Sequence, residues 1–310
     1  MQALLDAIAT LPLPAEAGRH FHGRGGRFPG CEHWLLDAFP PCWLLTSFEP
    51  VDAATLDTLH AALAARWQQL APDAPLNWVF QCRHEGQAET RLMAGSVPEP
   101  HVVSEAGARF HVHLLKGQNH GLFLDMAVGR QWVREQAAAQ PGLRVLNLFA
   151  YTCAFSVVAL QAGAAQVINL DMSPGALTTG QRNHQLNDLN KGASFLAHDL
   201  FKSWGKLTRS GPYGLVIVDP PSYQKGSFVA TKDYARLLRR LPELLRPGGQ
   251  ALLCLNTPKL GLGFVREQLQ EAAPELEFVR RLPNPPAFAD VDEDRSLKVV
   301  VVRAPTRPSI

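Results

Sequence analysis

The sequence has few cysteines and little net charge, and these shortages argue against several classes of protein. Five cysteines occur among 310 residues, and no two have the Cys-x-x-Cys spacing. An odd, scattered set argues against a disulfide framework or a zinc ribbon and indicates a reducing compartment. Lysine and arginine number 30 against 28 aspartates and glutamates, so the charge permits an acidic partner such as RNA but does not require one.

Basic leader segments and long apolar runs are also missing. Residues 1–18 contain acidic side chains and no basic one, which is not the pattern of a secretory signal peptide. No uninterrupted apolar stretch is long enough to span a bilayer. We therefore predict a cytoplasmic protein without a membrane partner. The length is sufficient for one large domain or two modest ones.

The first hundred residues differ in pattern from the rest and predict a small α+β domain over residues 1–100. WLLTSF, NWVFQCRH and TRLMAG have the character of strands, and residues 52–70 have helical period with Asp52 placed as the cap. In the His-, Arg- and Gly-rich loop 19–33, Arg24 and Arg27 on a flexible glycine backbone could contact RNA phosphates. The alternative is an irregular surface loop without a function. The histidines and cysteine of this loop have no recognised metal-ligand spacing, so we predict no metal site.

Residues 101–140 are predicted as a hairpin and a connecting helix. A proline-rich segment, Ser96 to Pro100, precedes them as a linker. Alternating residues that lead into a turn place the hairpin over Ala108 to Asp125. MAVGRQWVREQAAA has helical character, and Pro141-Gly142 ends the helix.

From residue 141 onward, strand-like and helical segments alternate, which is the signature of an α/β fold with a doubly wound parallel sheet. Five strand-like segments occur in order, VLNLFA, AQVINLD, SFLAHDLF, YGLVIVD and QALLCLN. The last two, FVRRLP and LKVVVVRA, are joined by a loop too short for a crossover helix and must pair antiparallel. The sequence therefore predicts a Rossmann-like, seven-stranded catalytic domain over residues 141–310.

Acidic residues follow three of the five parallel strands, at the edge of the sheet where open α/β proteins bind ligands. Asp171 lies 22 residues beyond Phe149 (171 − 149), the distance at which a carboxylate holds the hydroxyls of a nucleoside ribose. The alternative for Asp171 is a helix cap, a role for which Ser173 competes. Asp199, after the third strand, could accept the amino group of an adenine.

The turn after the first strand, in VLNLFAYTCAFSV, has no glycine, although nucleotide-binding turns usually contain several. The dinucleotide fingerprint is therefore absent at this turn. Cys153 stands at the start of the following helix, where the pKa of a thiol can be lowered. We predict that Cys153 is a reactive thiol but not the catalytic group.

DPPSY, residues 219–223, is the most specific motif. Two prolines end a buried strand rigidly, because neither donates a ladder hydrogen bond and each has a fixed φ. The segment presents the Asp219 carboxylate and the Pro220 carbonyl as acceptors, followed by the ring of Tyr223. Such acceptors and a stacking ring suit a flat nitrogenous base, and the alternative is a rigid turn with a surface tyrosine.

Seven motifs together resemble the class I S-adenosyl-L-methionine-dependent methyltransferases. These are GLFLD, VLNLFAYT, NLDMS, RNHQLN, HDLF, DPPSY and the RPGG turn before LLCLNT. The resemblance is greater to the bacterial large-subunit ribosomal RNA methyltransferases that act on cytosine C5 or guanine N7. It implies S-adenosyl-L-methionine as cofactor and RNA, most directly ribosomal RNA, as substrate.

The resemblance also implies roles for individual residues. The turn would flank the methionine part of the cofactor, Asp171 would hold the ribose with Met172 against the adenine, and Asp199 and Leu200 would face the adenine edge. Phe123 and Asp125 would close the pocket from the preceding hairpin. The turn residues in question are Phe149, Ala150, Tyr151 and Thr152. Two departures from the family pattern are Cys153 in place of the usual glycine and Met126-Ala127 after GLFLD.

The catalytic set implied by the resemblance is Asp219, Pro220, Tyr223 and Asn256. Methylation of cytosine C5 needs a thiolate that adds to the ring. Asn256 occupies the position of that cysteine, and Cys254, two residues earlier, is interpreted as a small apolar filler. We therefore predict methyl transfer to a nitrogen of an RNA base, closer to the guanine-N7 branch, with an exocyclic amino group also possible.

Three alternatives stay open at this point. The acceptor could be a protein or a small molecule, or the chain could be an inactive RNA-binding relative, because function resides in sites and not in folds. An NAD-dependent dehydrogenase shares the fold type and the ribose aspartate. It would, however, leave both DPPSY and the missing GxGxxG unexplained.

Overall fold

The computed structural model describes residues 1–221, the main chain of Tyr223 and Gln224, and residues 228–306. It consists of two compact units. The N-terminal unit contains residues 1–124 and 285–291, and the C-terminal unit contains residues 125–284 and those from 292 onward. In the described parts of both units, no helix combines the length and the apolar character needed to cross a membrane.

The N-terminal unit contains one five-stranded sheet, two helices and a separate hairpin. Its elements are α1 (Gln2–Ala9), β1 (Gly18–His22), β2 (Trp34–Phe39), β3 (Cys42–Ser47), α2 (Ala53–Leu70), β4 (Asn77–His84), β5 (Gln87–Ala94), β6 (His101–Glu105) and β7 (Ala108–Val112). The strands β1 to β5 lie side by side in chain order, and β6 pairs only with β7. As predicted, the Asp52 side chain caps α2 by accepting from the Thr55 amide at 2.7 Å.

The C-terminal unit has the predicted strand–helix alternation. Its elements are α3 (Ala127–Ala139), β8 (Arg144–Leu148), α4 (Ala154–Gln161), β9 (Gln166–Asp171), α5 (Pro174–Leu186), β10 (Ala193–Ala197), α6 (Trp204–Ser210), β11 (Tyr213–Val218), β12 (Tyr223–Gln224), β13 (Phe228–Val229), α7 (Ala230–Leu238), α8 (Leu241–Leu244), β14 (Leu245–Leu255), α9 (Leu262–Ala272), β15 (Glu277–Leu282) and β16 (Lys298–Arg303).

The large sheet of the C-terminal unit confirms the predicted fold class. Its seven strands have the order β10-β9-β8-β11-β14-β16-β15, in which the first five are parallel. The strand β16 runs antiparallel to both of its neighbours. The carboxyl ends of the parallel strands therefore meet at one edge, on a core of buried leucines, valines and isoleucines.

Two local predictions in the N-terminal unit were wrong. The first four residues of the predicted loop 19–33 belong to β1, whose register shifts between Arg19 and Phe21 and so breaks the alternation that indicates a strand. The hairpin lies over residues 101–112, not over Ala108 to Asp125, because its turn is made by Ala106 and Gly107, both with positive φ. The segment 101–140 contributes its hairpin to the N-terminal unit and its helix to the C-terminal unit.

Candidate active site

The carboxyl edge of the parallel strands brings several predicted residues to one side of the sheet. The strand ends are in register, with Leu148 opposite both Leu170 and Val218, and Val218 opposite Leu253. The turn 149–153, Asp219 and Asn256 follow these strands directly, and Asp171 is the last residue of β9. They belong to the C-terminal unit and form its candidate site.

The turn between β8 and α4 has an unusual main-chain conformation. Phe149, Tyr151 and Cys153 have φ values of 58°, 47° and 63°, although none is a glycine. A left-handed conformation at a residue with a Cβ costs about 1–3 kcal/mol, and such strain concentrates at functional sites. The rest of the unit must therefore hold this turn in place.

The Asp171 carboxylate is one of the groups that hold the turn. One oxygen accepts from the Tyr151 amide and the other from the Ser173 amide, both at 2.8 Å. Ser173 itself caps α5, so Asp171 is not the cap of this helix. A carboxylate has about four acceptor sites, which leaves capacity for the hydroxyls of a ribose. The side chain of Met172 is 50% exposed beside it.

A buried polar network supports the same turn from below. Asn147 on β8 donates to Asn169 on β9 at 2.9 Å, and Asn169 donates to Ser156 on α4 at 3.0 Å. Ser156 lies 2.8 Å from the Nε2 atom of His184. The Nε2 atom can accept a hydrogen bond from the Ser156 hydroxyl, because the Nδ1 atom of the same ring donates to the main-chain oxygen of Gly180.

The same helix α5 also binds the turn directly. Asn183, the neighbour of His184, donates to the main-chain oxygen of Thr152 at 3.0 Å. The motif RNHQLN therefore has a structural function, because two of its side chains fix the turn and the helix that follows it. The side chain of Thr152 is only 3% exposed and that of Ala150 only 7%.

Cys153 is not a reactive thiol of the predicted kind. It does precede α4 as its N-terminal cap residue, but its side chain is fully buried. Burial, and secondarily the charge of Asp171, raise the pKa of the Cys153 thiol well above its ordinary value. Desolvation therefore outweighs the effect of the helix terminus, and the prediction of a lowered pKa was wrong.

The third strand contributes less to the site than the sequence suggests. The Asp199 carboxylate accepts from the Phe201 amide at 2.8 Å and so caps the 3-10 turn Leu200–Lys202. Leu200 is 3% exposed and packs in the hydrophobic core, which leaves only its main chain available to a ligand. The contact of both residues with an adenine stays a prediction.

Asp219, directly after β11, has the most altered carboxyl group of the site. Burial and, next, the charge of Asp125 raise the pKa of Asp219 to about 7. The Cys254 thiol hydrogen-bonds to this carboxyl group, and Arg130 is a nearby cation, but both lower the pKa by less. At neutral pH, Asp219 is therefore divided between an acceptor and a donor form, as a group that takes up a proton should be.

Aromatic side chains pack against the turn after β8. The ring centroids of Phe149 and Phe228 are 5.4 Å apart, and those of Phe228 and Tyr234 are 6.4 Å apart. The hydroxyl of Tyr234 donates to the main-chain oxygen of Cys254 at 3.4 Å. Tyr234 is close enough to Asp219 for the charge of that carboxylate to raise the tyrosine pKa, so its ring contributes to the burial of the carboxyl group.

Asn256 lies at the exposed end of β14, and a buried lysine fixes the segment that carries it. The ammonium group of Lys298 donates to the main-chain oxygens of Thr257 at 2.6 Å and Asp294 at 3.0 Å. The side chain of Lys298 has no exposed surface, and burial together with Arg281 lowers its pKa to about 8. Lys298 therefore holds in place the segment that follows β14 and carries Asn256.

The remaining predicted site residues are Pro220, Tyr223, Phe123 and Asp125. Pro220 is buried after Asp219, whereas the side chain of Tyr223 and all of Ser222 lie outside the described residues. Phe123 belongs to the N-terminal unit and is 40% exposed. Asp125 belongs to the C-terminal unit, in a 3-10 turn before α3 and not in a hairpin as predicted.

Sequence reasoning assigned no role at this site to Arg130, Phe228 or Tyr234, and it interpreted Cys254 as an apolar filler, whereas the Cys254 thiol hydrogen-bonds to Asp219. Arg130 could have been noticed in the sequence, because it is a charged residue at helical spacing from the apolar residues Val133 and Ala137. In the structure these three residues lie on the buried face of α3. Phe228 and Tyr234 could not have been found from a local pattern, because they reach the site from the segment after the proline turn.

The groups of the C-terminal unit fit the adenosine part of a cofactor. A carboxylate with spare acceptor capacity, an exposed methionine beside it and a strained turn with partly buried aromatic residues lie at one edge of the sheet. No group of three or more metal-ligating side chains was found in the described portions of the chain. The fold and these groups define a Rossmann-like methyltransferase.

Comparison with known proteins agrees with this class. The model of the S-adenosylmethionine-dependent methyltransferase family matches residues 18–303, and the chain therefore belongs to this family. Ribosomal RNA large subunit methyltransferase I of Aeromonas salmonicida is 30% identical over 236 residues, which are 72% of this chain and 59% of that protein. Ribosomal RNA large subunit methyltransferase K/L of a Psychrobacter species is 34% identical over 191 residues, 59% of this chain and 23% of that protein.

Solved structures show the same fold. A Streptococcus mutans protein described as a SAM-dependent methyltransferase superposes with a TM-score of 0.79 at 24% identity, over 98% of this chain and 78% of that one. SMU.776 in complex with SAH superposes with a TM-score of 0.80, also at 24% identity, over 98% of this chain and 79% of that one. The chain thus spans less than two thirds of the length of the two curated relatives described above, and most of the length of both solved structures.

Proposed function

We propose that this protein transfers a methyl group from S-adenosyl-L-methionine to an amino or imino nitrogen of a base in ribosomal RNA. The names of the relatives support RNA as substrate. The observation that carries the choice of atom is the Asp219 carboxyl group, whose pKa of about 7 suits proton uptake at neutral pH. A ribosomal substrate would also agree with a cytoplasmic location.

The choice between base atoms follows from proton accounting. A nitrogen that carries hydrogen must lose one proton when it gains a methyl group, so it profits from an acceptor at the site. Guanine N7 carries no hydrogen and would have no proton to give to Asp219. Covalent activation of a carbon would need a thiolate, whereas burial and the charge of Asp219 raise the pKa of the Cys254 thiol well above its ordinary value.

Separate groups of residues would bind the cofactor and the target base. The cofactor, when bound, supplies an electrophilic methyl group on a sulfonium. The turn after β8 and Asp171 would hold it, and Met172 would pack on its adenine. Asp219 and the main-chain oxygen of Pro220 would accept the hydrogens of the target nitrogen and aim its lone pair at the methyl carbon. Asn256 would bind the edge of the base, and Tyr223 would stack on it.

Methylation of RNA can be tested directly. Nucleosides of ribosomal RNA from a strain that lacks the gene should lose one N-methylated base by mass spectrometry, and the purified protein should restore it in vitro. An exocyclic N-methyl product would support the assignment to Asp219. An N7-methylguanine product would overturn the choice of atom, and an unchanged RNA profile would redirect the search to protein or small-molecule acceptors.

Replacement of Asp171 by alanine is expected to weaken binding of S-adenosylhomocysteine by about 10- to 100-fold. Loss of hydrogen bonds to a charged carboxylate costs about 1.5–3 kcal/mol, and the Tyr151 and Ser173 amides would lose their acceptors as well. Isothermal titration calorimetry measures the effect. Glu271→Ala, an exposed acidic position on α9, is the control. Equal affinities of the two variants would refute the ribose role of Asp171.

A further inference from the structure

The GRGG segment of the N-terminal unit is a fixed turn and not the flexible loop that its composition suggests. Gly23–Gly25 form a 3-10 turn in which the Gly26 amide donates to the Gly23 oxygen at 2.9 Å. A Cβ at Gly23 would collide with the main-chain oxygen of Cys31, and one at Gly25 with that of Ala289. Two close approaches of main chain therefore immobilise the residue between these glycines, Arg24.

Arg24 is also oriented by its side-chain contact. Its guanidinium stacks on the ring of Phe48, 4.0 Å from the centroid. Arg24 is itself exposed at this turn. One face of the guanidinium is covered by the Phe48 ring, and the N–H groups at its edge can still donate to a ligand at this exposed position.

Arg24 lies in a cluster of three guanidinium groups, those of Arg19, Arg24 and Arg83, with two carboxylates nearby, those of Asp37 and Asp290. Arg19 and Arg83 are close enough to affect one another electrostatically, and the carboxylate that they share is Asp37. Arg19 already uses both oxygens of that carboxylate, at 2.8 and 3.0 Å. Arg83 donates instead to neutral oxygens of Gln81 and Gln118.

Burial is the main cause of the lowered pKa values of the neighbouring groups, and the arginine and carboxylate charges act on them in opposite directions. Burial, and secondarily the charge of Arg19, lower the pKa of His22 to about 4, so this ring is neutral at pH 7. Burial lowers the pKa of Arg83 to about 10; the charge of Asp37 opposes this shift, and the charges of Arg19 and Arg24 add to it. An incompletely compensated group of guanidinium ions favours an anionic ligand.

We propose that Arg24, supported by the field of Arg19 and Arg83, binds a backbone phosphate of the RNA substrate. This inference rests on the proposed function, because the phosphodiester is that of the RNA to be methylated. A guanidinium fork suits phosphate oxygens, and phosphate contacts set the register of a protein on nucleic acid without reading sequence. Arg24 therefore positions the RNA through the N-terminal unit and takes no part in methyl transfer itself.

The test compares Arg24→Gln with a matched control, Arg266→Gln. Arg266 stacks on Phe278 at 4.1 Å in the C-terminal unit, so both variants lose one stacked guanidinium. Binding of ribosomal RNA and of a labelled polyuridine oligonucleotide is measured at several salt concentrations. Arg24→Gln should weaken both by about 3- to 10-fold and reduce the slope of log K against log salt by about 1. Arg24→Lys should retain the slope, because it retains the charge.

The outcomes separate this proposal from the proposed function. If the wild-type protein methylates RNA and Arg24→Gln has the same RNA affinity and salt slope as Arg266→Gln, the phosphate site is refuted while the methyltransferase assignment stands. If Arg24→Gln selectively loses RNA affinity but the wild-type protein transfers no methyl group to RNA, the phosphate site stands and the proposed methylation of RNA is refuted. A wild-type protein that binds no RNA would overturn both.

Discussion

Replacement of Asp219 by asparagine is expected to reduce methyl transfer by about 100-fold or more, while the affinity for S-adenosylhomocysteine stays within about threefold of wild type. Asparagine keeps the shape of aspartate but cannot take up a proton, and its amide group can present hydrogens to a target nitrogen that also carries them. Single-turnover assays with ribosomal RNA measure the rate, and calorimetry measures the affinity. Full activity of the variant at wild-type affinity would exclude Asp219 from catalysis.

The pH dependence of the wild-type enzyme provides a second measurement of the same group. The acceptor form of Asp219 increases as pH rises through its pKa of about 7, so kcat/KM should rise below that pH and level off above it. Asp219→Asn should lose this inflection and keep only a low rate that does not change across it. An inflection of equal size in the variant would assign the titration to another group.

The raised pKa of Asp219 also predicts how the stability of the protein changes with pH. The pKa of Asp219 is about 7 in the folded state and near 3.8 in the unfolded chain, so the folded state binds the proton more tightly. The free energy of unfolding therefore falls as pH rises from about 4 to about 7. Asp219→Asn should therefore be more stable than wild type at pH 8, by about 2–4 kcal/mol, and equally stable near pH 4. Urea unfolding at the two pH values measures this difference, and Glu271→Gln serves as the control.

The fold was predictable from the sequence to the extent that each element has a local pattern. The buried runs of the seven-stranded sheet, the caps Asp52 and Ser173 and the short connection before β16 all carry such patterns. The strands β1 and β2 do not. The first contains an irregular register, and the second is buried on both faces although Asp37 stands within it. Only pairing between distant segments makes these stretches strands.

The candidate site was predictable where the chain itself places a residue at a strand end. Asp171, Asp219 and Asn256 follow directly from strand order and the rule that ligands bind at the carboxyl edge. The chemical state of these residues was not predictable. The pKa of Asp219 depends on Asp125 and Cys254, and that of Cys153 on complete burial, and none of these contacts has a fixed spacing in the sequence.

The replacement of the usual turn glycine by Cys153 has a counterpart across the helix interface. A Cβ added at Gly180 on α5 would lie 2.5 Å from the Sγ atom of Cys153 and 3.4 Å from the carbonyl carbon of Thr152. The side chain of Cys153 thus occupies the space that a larger residue at position 180 would need. This complementarity predicts a strong coupling between the two positions.

Gly180→Ala should destabilise the wild-type protein by about 1–3 kcal/mol through overpacking, although alanine is the better helix former by about 1 kcal/mol. In a Cys153→Gly background the collision is absent, so the same substitution should become neutral or stabilising. Gly175→Ala, in the same helix but with open space around its Cβ, is the control and should have equal effects in both backgrounds. Urea unfolding of the complete set gives the interaction energy.

The coupling should extend to cofactor binding, because the displaced atoms belong to the turn that carries Tyr151 and Thr152. Gly180→Ala alone should weaken binding of S-adenosylhomocysteine, and Cys153→Gly should restore it in the double variant. Strictly additive stabilities and an unchanged affinity would contradict the packing of Cys153 against Gly180. Restoration of both quantities would show that the turn keeps its strained conformation without glycine because Gly180 on α5 leaves room for the Cys153 thiol.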